Sequence, residues 1–461
     1  MRNVTFMKER KRHIDLLHGR ILPALTGLAV PIMATSMVQT AYNLTDMAWI
    51  GRVGSQAVTA VGAAGMYTWF ASGIVTLARM GGQVKVAHSL GEGNTEEAVE
   101  YGRGAIQLTI FLALTFALAV NLFAGPMIGF FGLNSTKTAA DAEYYLRIVG
   151  GLILFSFLNQ TLTGLFTAIG DSRTPFLANS MGLLVNMILD PMMIFGIGPF
   201  PRMEAVGAAA ATVTAQMVVT LVMVIRASKD TVLFPGIHLF EKTSRKYVRV
   251  IVQLGLPSAL QSMLYSSISM VLTRMVASWG DSAVAVQRVG GQVECISWMA
   301  AEGMGSAMNA FTGQNFGAKF YDRMKKGYRV ALGIIMAWGT VTSMILIFGC
   351  EPIFQIFIQE PEVLPIGVSY LIVLGYGQMP MCVELMTVGA LQGMGKTMSC
   401  SVITILFTAF RIPLAVFLSA TSLGLDGIWW ALTLTSMAKG AVFAGYYSWI
   451  LHRLPRKLSH E

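Results

Sequence analysis

Twelve long apolar runs follow one another along this chain. They lie at 21–49, 56–79, 98–122, 143–168, 174–196 and 204–226, then at 248–278, 283–310, 327–348, 364–390, 397–419 and 425–450. About 20 apolar residues in a helix cross the hydrocarbon of a bilayer, where only helices and closed barrels satisfy their own backbone. Barrel strands are short and alternate in polarity, and these runs are too long and too uniform for that. The runs therefore predict an all-α integral membrane protein of twelve transmembrane helices. Composition agrees, since 54% of the 461 residues are hydrophobic and only 12% are charged, against about 25% charged in a soluble domain. A soluble enzyme, a disordered chain and a disulfide scaffold are excluded. The net charge of +9 sits between the apolar runs, as loop anchors do, so no nucleic-acid partner is expected. Cys295, Cys350, Cys382 and Cys400 lie in or beside apolar runs and form no disulfide framework. The first apolar run is longer than a signal-peptide core and reads as a span.

Lysine and arginine set the orientation. The N-terminal tail carries Arg2, Lys8, Arg10, Lys11, Arg12 and Arg20, and the C-terminal tail Arg453, Arg456 and Lys457. The connection after the sixth run holds Arg226, Lys229, Lys242, Arg245, Lys246 and Arg249, and the one after the eighth holds Lys319, Arg323, Lys325, Lys326 and Arg329. By contrast, Glu351 to Pro365 and Ser419 to Asp426 contain neither residue type. Both termini are then cytoplasmic, in a multi-pass membrane protein.

The two halves repeat. At a shift of 226, Pro31 falls on Pro257, Gly54 on Gly280, Ala57 on Ala283, Gly91 on Gly317 and Arg103 on Arg329. At 225, Gly164 falls on Gly389 and Gly170 on Gly395. Six helices per half bring both halves in from the same side, which makes a parallel repeat of two pseudo-symmetric six-helix bundles. The expected organisation is a tail at 1–20, a first half at 21–226, a linker at 227–247, a second half at 248–450 and a tail at 451–461.

Catalytic motifs are sparse, and no enzyme is expected. There is no HExxH and no CxxC, and the six histidines scatter through tails and loops. The string Gly389 to Thr397 looks like a phosphate loop, but its first glycine is one residue too far away and an apolar helix precedes it where a strand is required. A tight turn is the better reading. No nucleotide and no resident cofactor are expected, so uphill transport would need an ion gradient or a partner ATPase.

Charged groups inside apolar runs are costly, which makes Asp46, Asp190, Glu294, Glu302 and Glu384 the functional candidates. In the first run Gln39, Tyr42, Asn43 and Asp46 share one face. In the fifth, Asn186 and Asp190 are one turn apart, with Asp190 about 24 Å along the helix from Thr174 at 1.5 Å per residue. Both aspartates then fall in the outer half of the membrane, within reach of each other. The second half lacks this chemistry, because Asp46 falls on Leu272, Asn186 on Arg411 and Asp190 on Ala415. It offers Glu294, Trp298, Glu302 and Asn309 on one face of the eighth run and Glu384 on the tenth. These glutamates either meet substrate or pair with Arg274, Arg288, Arg411 or Lys439 to hold helices together.

Four phrases now carry a family resemblance: YNLTDMAWIG, AIGDSRTP, NMILDPMMIFG and FTGQNFGAK. In this order and spacing the chain resembles the multidrug and toxic compound extrusion (MATE) transporters, of the DinF-like prokaryotic branch, over essentially its whole length. The resemblance implies export of amphipathic, often cationic compounds in exchange for H⁺ or Na⁺. It assigns the coupling ion to Asp46, Asn186 and Asp190 with Tyr42 and Thr212, and the bend of the first helix to Pro31. Thr163 stands where relatives carry an asparagine, and Ser266 and Met381 stand near carboxylates of the NorM-like branch, so no NorM-style sodium site is expected in the second half. Gln39, Thr163, Glu294, Trp298, Glu302 and Glu384 are candidate cavity residues. The 30 methionines suit a surface that repacks around different ligands. The partners expected are small organic cations or amphipathic drugs and the lipid bilayer, with the chain acting as a monomer. Two other classes stay open. One is a lipid-linked oligosaccharide flippase whose cavity arginines would be Arg274, Arg288 and Arg411. The other is a channel or receptor, for which no filter motif is evident.

Overall fold

The structure is a computed structural model and describes residues 14–131, 135–355 and 361–454. The basic residues through Arg12, together with Arg456 and Lys457, lie outside the described residues. All regular elements among the described residues are helical. They are α1 (Ile21–Val53), α2 (Ser55–Gly91), α3 (Thr95–Gly129), α4 (Thr136–Gly151), α5 (Leu154–Ala168), α6 (Arg173–Phe195) and α7 (Glu204–Ala227), then α8 (Arg245–Ala277), α9 (Asp281–Gly317), α10 (Tyr321–Phe348), α11 (Cys350–Gln355), α12 (Leu364–Gly393), α13 (Thr397–Ser419) and α14 (Leu425–Arg453). A 3₁₀ turn, Phe234–Gly236, lies between α7 and α8.

These make twelve spans. The fourth is α4 and α5 together, bent by 44° at their break, and α11 is a single short turn. Among the described residues eight helices qualify as spans by length and hydropathy, nine with the bent pair. The other three are α8, α9 and α14, and all belong to the second half. α8 is rich in serine and glutamine, α9 carries Glu294 and Glu302, and α14 carries Lys439. These polar residues lower the hydropathy of helices that are 33, 37 and 29 residues long, enough to span. The lipid-facing character of the rest is plain on α3, where Phe111, Leu114, Leu118 and Leu122 stand exposed at helical spacing.

Helix ends follow local chemistry. Asn94 caps α3 by accepting from the Glu97 amide at 3.1 Å, and Ser135 caps α4 by accepting from Thr138. Asp171 accepts from the Arg173 and Thr174 amides at 3.1 and 3.0 Å and from the Thr174 hydroxyl at 2.6 Å, which fixes the start of α6. The turns after α1 and α8 rest on Gly54 (φ 141°) and Gly280 (φ 109°), in a backbone region that only glycine enters readily. The string that imitates a phosphate loop is the end of α12. The Lys396 and Gly395 amides donate to the Leu391 and Gln392 carbonyls, a left-handed C-terminal cap.

The described residues form two compact units. One holds residue 14 with residues 34–259, and the other holds 15–33 with 260–454. The divisions fall inside α1 and α8, two residues past Pro31 and Pro257 in each case. In the first unit α2 packs against α3, α4 and α5, and α7 against α4, α5 and α6. Its core has one cluster around Leu165, Phe166 and Met223 and another around Ile50, Tyr145 and Ile194. The lead-in to α8 is held here by Arg103, which pairs with Glu241, and by Gln107, which donates to the Leu239 and Glu241 carbonyls. In the second unit α12 is central and packs against α9, α10 and α14. Gly389 of α12 meets the backbone of Gly305 so closely that a Cβ would not fit. The lead-in to α1 is held in this unit by Asn315 and Arg323, which donate to the Leu16 carbonyl, both at 3.0 Å.

Candidate cation-binding site

The polar face of α1 divides, with Gln39 and Asn43 exposed and Tyr42 and Asp46 turned inward. Tyr42 is 8% exposed and Asp46 is half-buried one turn later. On α6, Asn186 and Asp190 are completely buried, and Asn186 Nδ2 donates to Asp190 Oδ1 at 3.0 Å. That bond occupies one carboxylate oxygen and leaves the other, Oδ2, without a partner among the described residues. Pro191 follows directly and cannot donate, so the Met187 carbonyl loses its helical partner beside the site. Asp46 and Asp190 are close enough to act on each other electrostatically. Thr212 of α7 lies beside the hydroxyls of Tyr42 and of Tyr145 on α4.

Five oxygens of this cluster are buried without a hydrogen-bond partner among the described residues: Tyr42 Oη, Asp46 Oδ1, Asn186 Oδ1, Asp190 Oδ2 and Thr212 Oγ1. An unpaired buried polar atom costs about 1–3 kcal/mol, and more when it is charged. Five unpaired oxygens on α1, α6 and α7, two of them from carboxylates, are what a proton or a small hard cation satisfies. Two facing carboxylates in a low-dielectric space also need such a charge between them. No group of three or more His, Cys, Asp or Glu side chains with metal-binding geometry occurs among the described residues, and the other unpaired oxygens here belong to a tyrosine, a threonine and an amide.

The same face leads to a small cleft of about 10 Å³ lined by Gln39, Tyr42, Asn179, Gly182 and Gln216 among others, about the room one water needs. Beyond it Asn159 donates to Gln216 Oε1 at 2.7 Å and accepts from Thr220 at 2.7 Å. Thr163 is one turn away, but its hydroxyl folds back on the Asn159 carbonyl at 2.7 Å. Tyr145, Asn159 and Gln216 were not singled out in the sequence. Tyr145 had a signal, because at a shift of 225 it falls on Tyr370.

The second unit treats its candidates differently. Glu384 and Lys439 are both buried and bond at 2.6 Å, so that glutamate holds α12 to α14. Glu294 is half-buried and receives a long 3.5 Å contact from Gln378 Nε2. Trp298 and Glu302 are exposed one and two turns further on. Arg411 is 7% exposed and donates to Thr435 Oγ1 and Ser436 Oγ, both at 2.9 Å. At the positions matching Asp46 and Asp190, Leu272 and Ala415 are packed into an apolar core with Tyr370 and Trp429.

The chain is 27% identical over 443 residues to a protein named FAD transporter from Shewanella oneidensis, covering 96% of each chain. It is 26% identical over 411 residues to a probable multidrug resistance protein NorM from Thermotoga maritima, covering 88% of this chain and 87% of the relative. The fold matches a MOP superfamily transporter from Pyrococcus furiosus, described as having a binding pocket of reversed polarity that suggests a different function. That match has a TM-score of 0.88 at 22% identity and covers 97% of this chain and 99% of the other. The profile of the MatE family matches residues 31–192 and again 257–417. Both matches begin on a proline, Pro31 and Pro257, and their starts and ends differ by the 226 and 225 positions that relate the two halves. The chain is a member of the MatE family, the multidrug and toxic compound extrusion transporters.

Proposed function

We propose that this chain is a secondary-active exporter of small amphipathic organic compounds, cations among them, driven by H⁺ or Na⁺ entering through the Asp46–Asp190 site. The observation that carries this reading is the cluster of five unpaired buried oxygens on α1, α6 and α7. A bound ion neutralises the two carboxylates and joins α1 to α6, and its loss leaves them repelling each other. Pro31 lacks a backbone donor, which makes α1 the natural place to yield when that charge changes. If ion and substrate favour different arrangements of the helices, each weakens binding of the other, and that reciprocity is exchange. The basic connections at 227–247 and 319–329 support cytoplasmic termini in a prokaryotic plasma membrane. The relatives called multidrug resistance proteins support a broad substrate range. The one named for FAD, a phosphate-bearing compound, supports a range that includes acids.

The test uses purified protein in liposomes with a fluorescent organic cation. Transport should follow an imposed proton or sodium gradient, and Asp46→Asn or Asp190→Asn should reduce it to background while substrate binding persists. Wild-type rates in both variants under both gradients would overturn the reading.

A further inference from the structure

Arg411 is a buried charge that the coupling site does not use. Its Nε and Nη2 donate to two neutral hydroxyls, Thr435 and Ser436, and its remaining Nη1 makes no hydrogen bond among the described residues. No carboxylate makes a salt bridge with it among those residues, whereas nearby Lys439 is matched by Glu384. Glu294 acts on Arg411 only through space, and Lys439 repels it. A buried arginine whose hydrogen bonds all go to neutral hydroxyls is costly unless an acid group comes into direct contact with it.

The repeat says what is missing. In the first half Asn186 holds the carboxylate of Asp190, four residues on, at 3.0 Å. The matching pair in the second half is Arg411 and Ala415. A guanidinium has replaced the amide, and the acid it would hold has been removed. Glu294 lies within electrostatic range of Arg411 and receives a 3.5 Å contact from Gln378 Nε2, while Gln378 Oε1 is buried and unpaired on a residue 1% exposed. The position thus offers a fork of donors to an acid group and acceptors to a cationic or N–H group on the same molecule.

We propose that Arg411, with Thr435 and Ser436 beside it and the Glu294–Gln378 pair in its electrostatic surroundings, binds the acid group, a carboxylate or a phosphate, of organic substrates. The site selects acid-bearing and zwitterionic compounds over their neutralised counterparts. It rests on the export reading only for the direction of movement, and its test involves no gradient, so either idea can fail alone.

Two matched probe pairs decide it by fluorescence titration of the purified full-length protein. The carboxylate pair is tetramethylrhodamine and its methyl ester, and the phosphate pair is flavin mononucleotide and riboflavin. Wild type should prefer the acid by about tenfold or more in at least one pair, the scale of a charge-assisted hydrogen bond, and the pair that shows it names the acid. Arg411→Gln should erase that preference without weakening the ester or riboflavin. Glu294→Gln leaves Arg411 in place, serves if the arginine variant does not fold, and should raise the acid-to-ester ratio. No acid preference in either pair, a preference that survives Arg411→Gln, equal losses for both members of a pair, or a ratio unmoved or lowered by Glu294→Gln would each overturn the proposal.

Discussion

The two halves share a backbone plan and divide the chemistry. Where the chain must bend or turn, they match: Pro31 with Pro257, Gly54 with Gly280 and Gly170 with Gly395, the last pair sharing positive φ values of 86° and 77°. Where charge is placed, they part. Asp46 and Asp190 are answered by Leu272 and Ala415, which lie in a packed apolar core. Asn186 is answered by Arg411. Even the joint between span four and span six changes character. In the first half Asn159, Gln216 and Thr220 form a neutral network, and in the second the position matching Asn159 is Glu384, ion-paired to Lys439. A duplicated membrane fold can keep the residues that shape its backbone and still give each copy its own charge chemistry.

The comparison can be broken most severely by forcing the first half's acid on the second. Leu272 is 3% exposed among apolar neighbours, so Leu272→Asp buries a carboxylate with no partner and should destabilise by at least about 4 kcal/mol. Thermal denaturation in detergent would read this. Asp46→Asn should leave the same transition nearly unmoved while transport disappears. The ion pair comes next. Lys439→Met leaves Glu384 buried and alone, which should cost about 3–5 kcal/mol, whereas the double variant Lys439→Met with Glu384→Leu should recover most of it. The neutral joint is gentler. Asn159→Ala removes hydrogen bonds to Gln216 and Thr220 and should lower stability by about 1–3 kcal/mol. The smallest effects should be equal in the two halves. Gly54→Ala and Gly280→Ala each force a side chain into a glycine-only conformation, at about 1–2 kcal/mol. A large inequality between those two would mean that the shared plan does not bear equally on both copies.

Much of this was legible in the sequence, because a bilayer imposes period and length on whatever crosses it. All twelve spans fall on helices, and the 3.6-residue period placed Tyr42 with Asp46 and Asn186 with Asp190 on common faces. The break within span four follows the pair Gly150-Gly151, a signal for a bend that the uniform hydropathy of the run masks. Partners across helices were also hidden. Periodicity says which residues share a face and not which face they meet, so Tyr145 beside Thr212, Asn159 on Gln216 and the choice of Lys439 for Glu384 needed coordinates. Glu294, Trp298 and Glu302 share a stripe, yet that stripe runs from half-buried to exposed, a gradient that no spacing encodes.

On the proposed mechanism the coupling ion resides in the first half and is released when substrate binds. The direct measurement is ion release from purified protein in weak buffer on addition of a tight-binding substrate, followed by a pH indicator in sodium-free solution and by a sodium-selective electrode when sodium is present. Wild type should release about one cation per substrate bound, as reciprocal coupling requires. Asp46→Asn and Asp190→Asn should bind substrate and release none, and Arg411→Gln should release as wild type does for a substrate without an acid group. Release that persists in both aspartate variants would contradict the account.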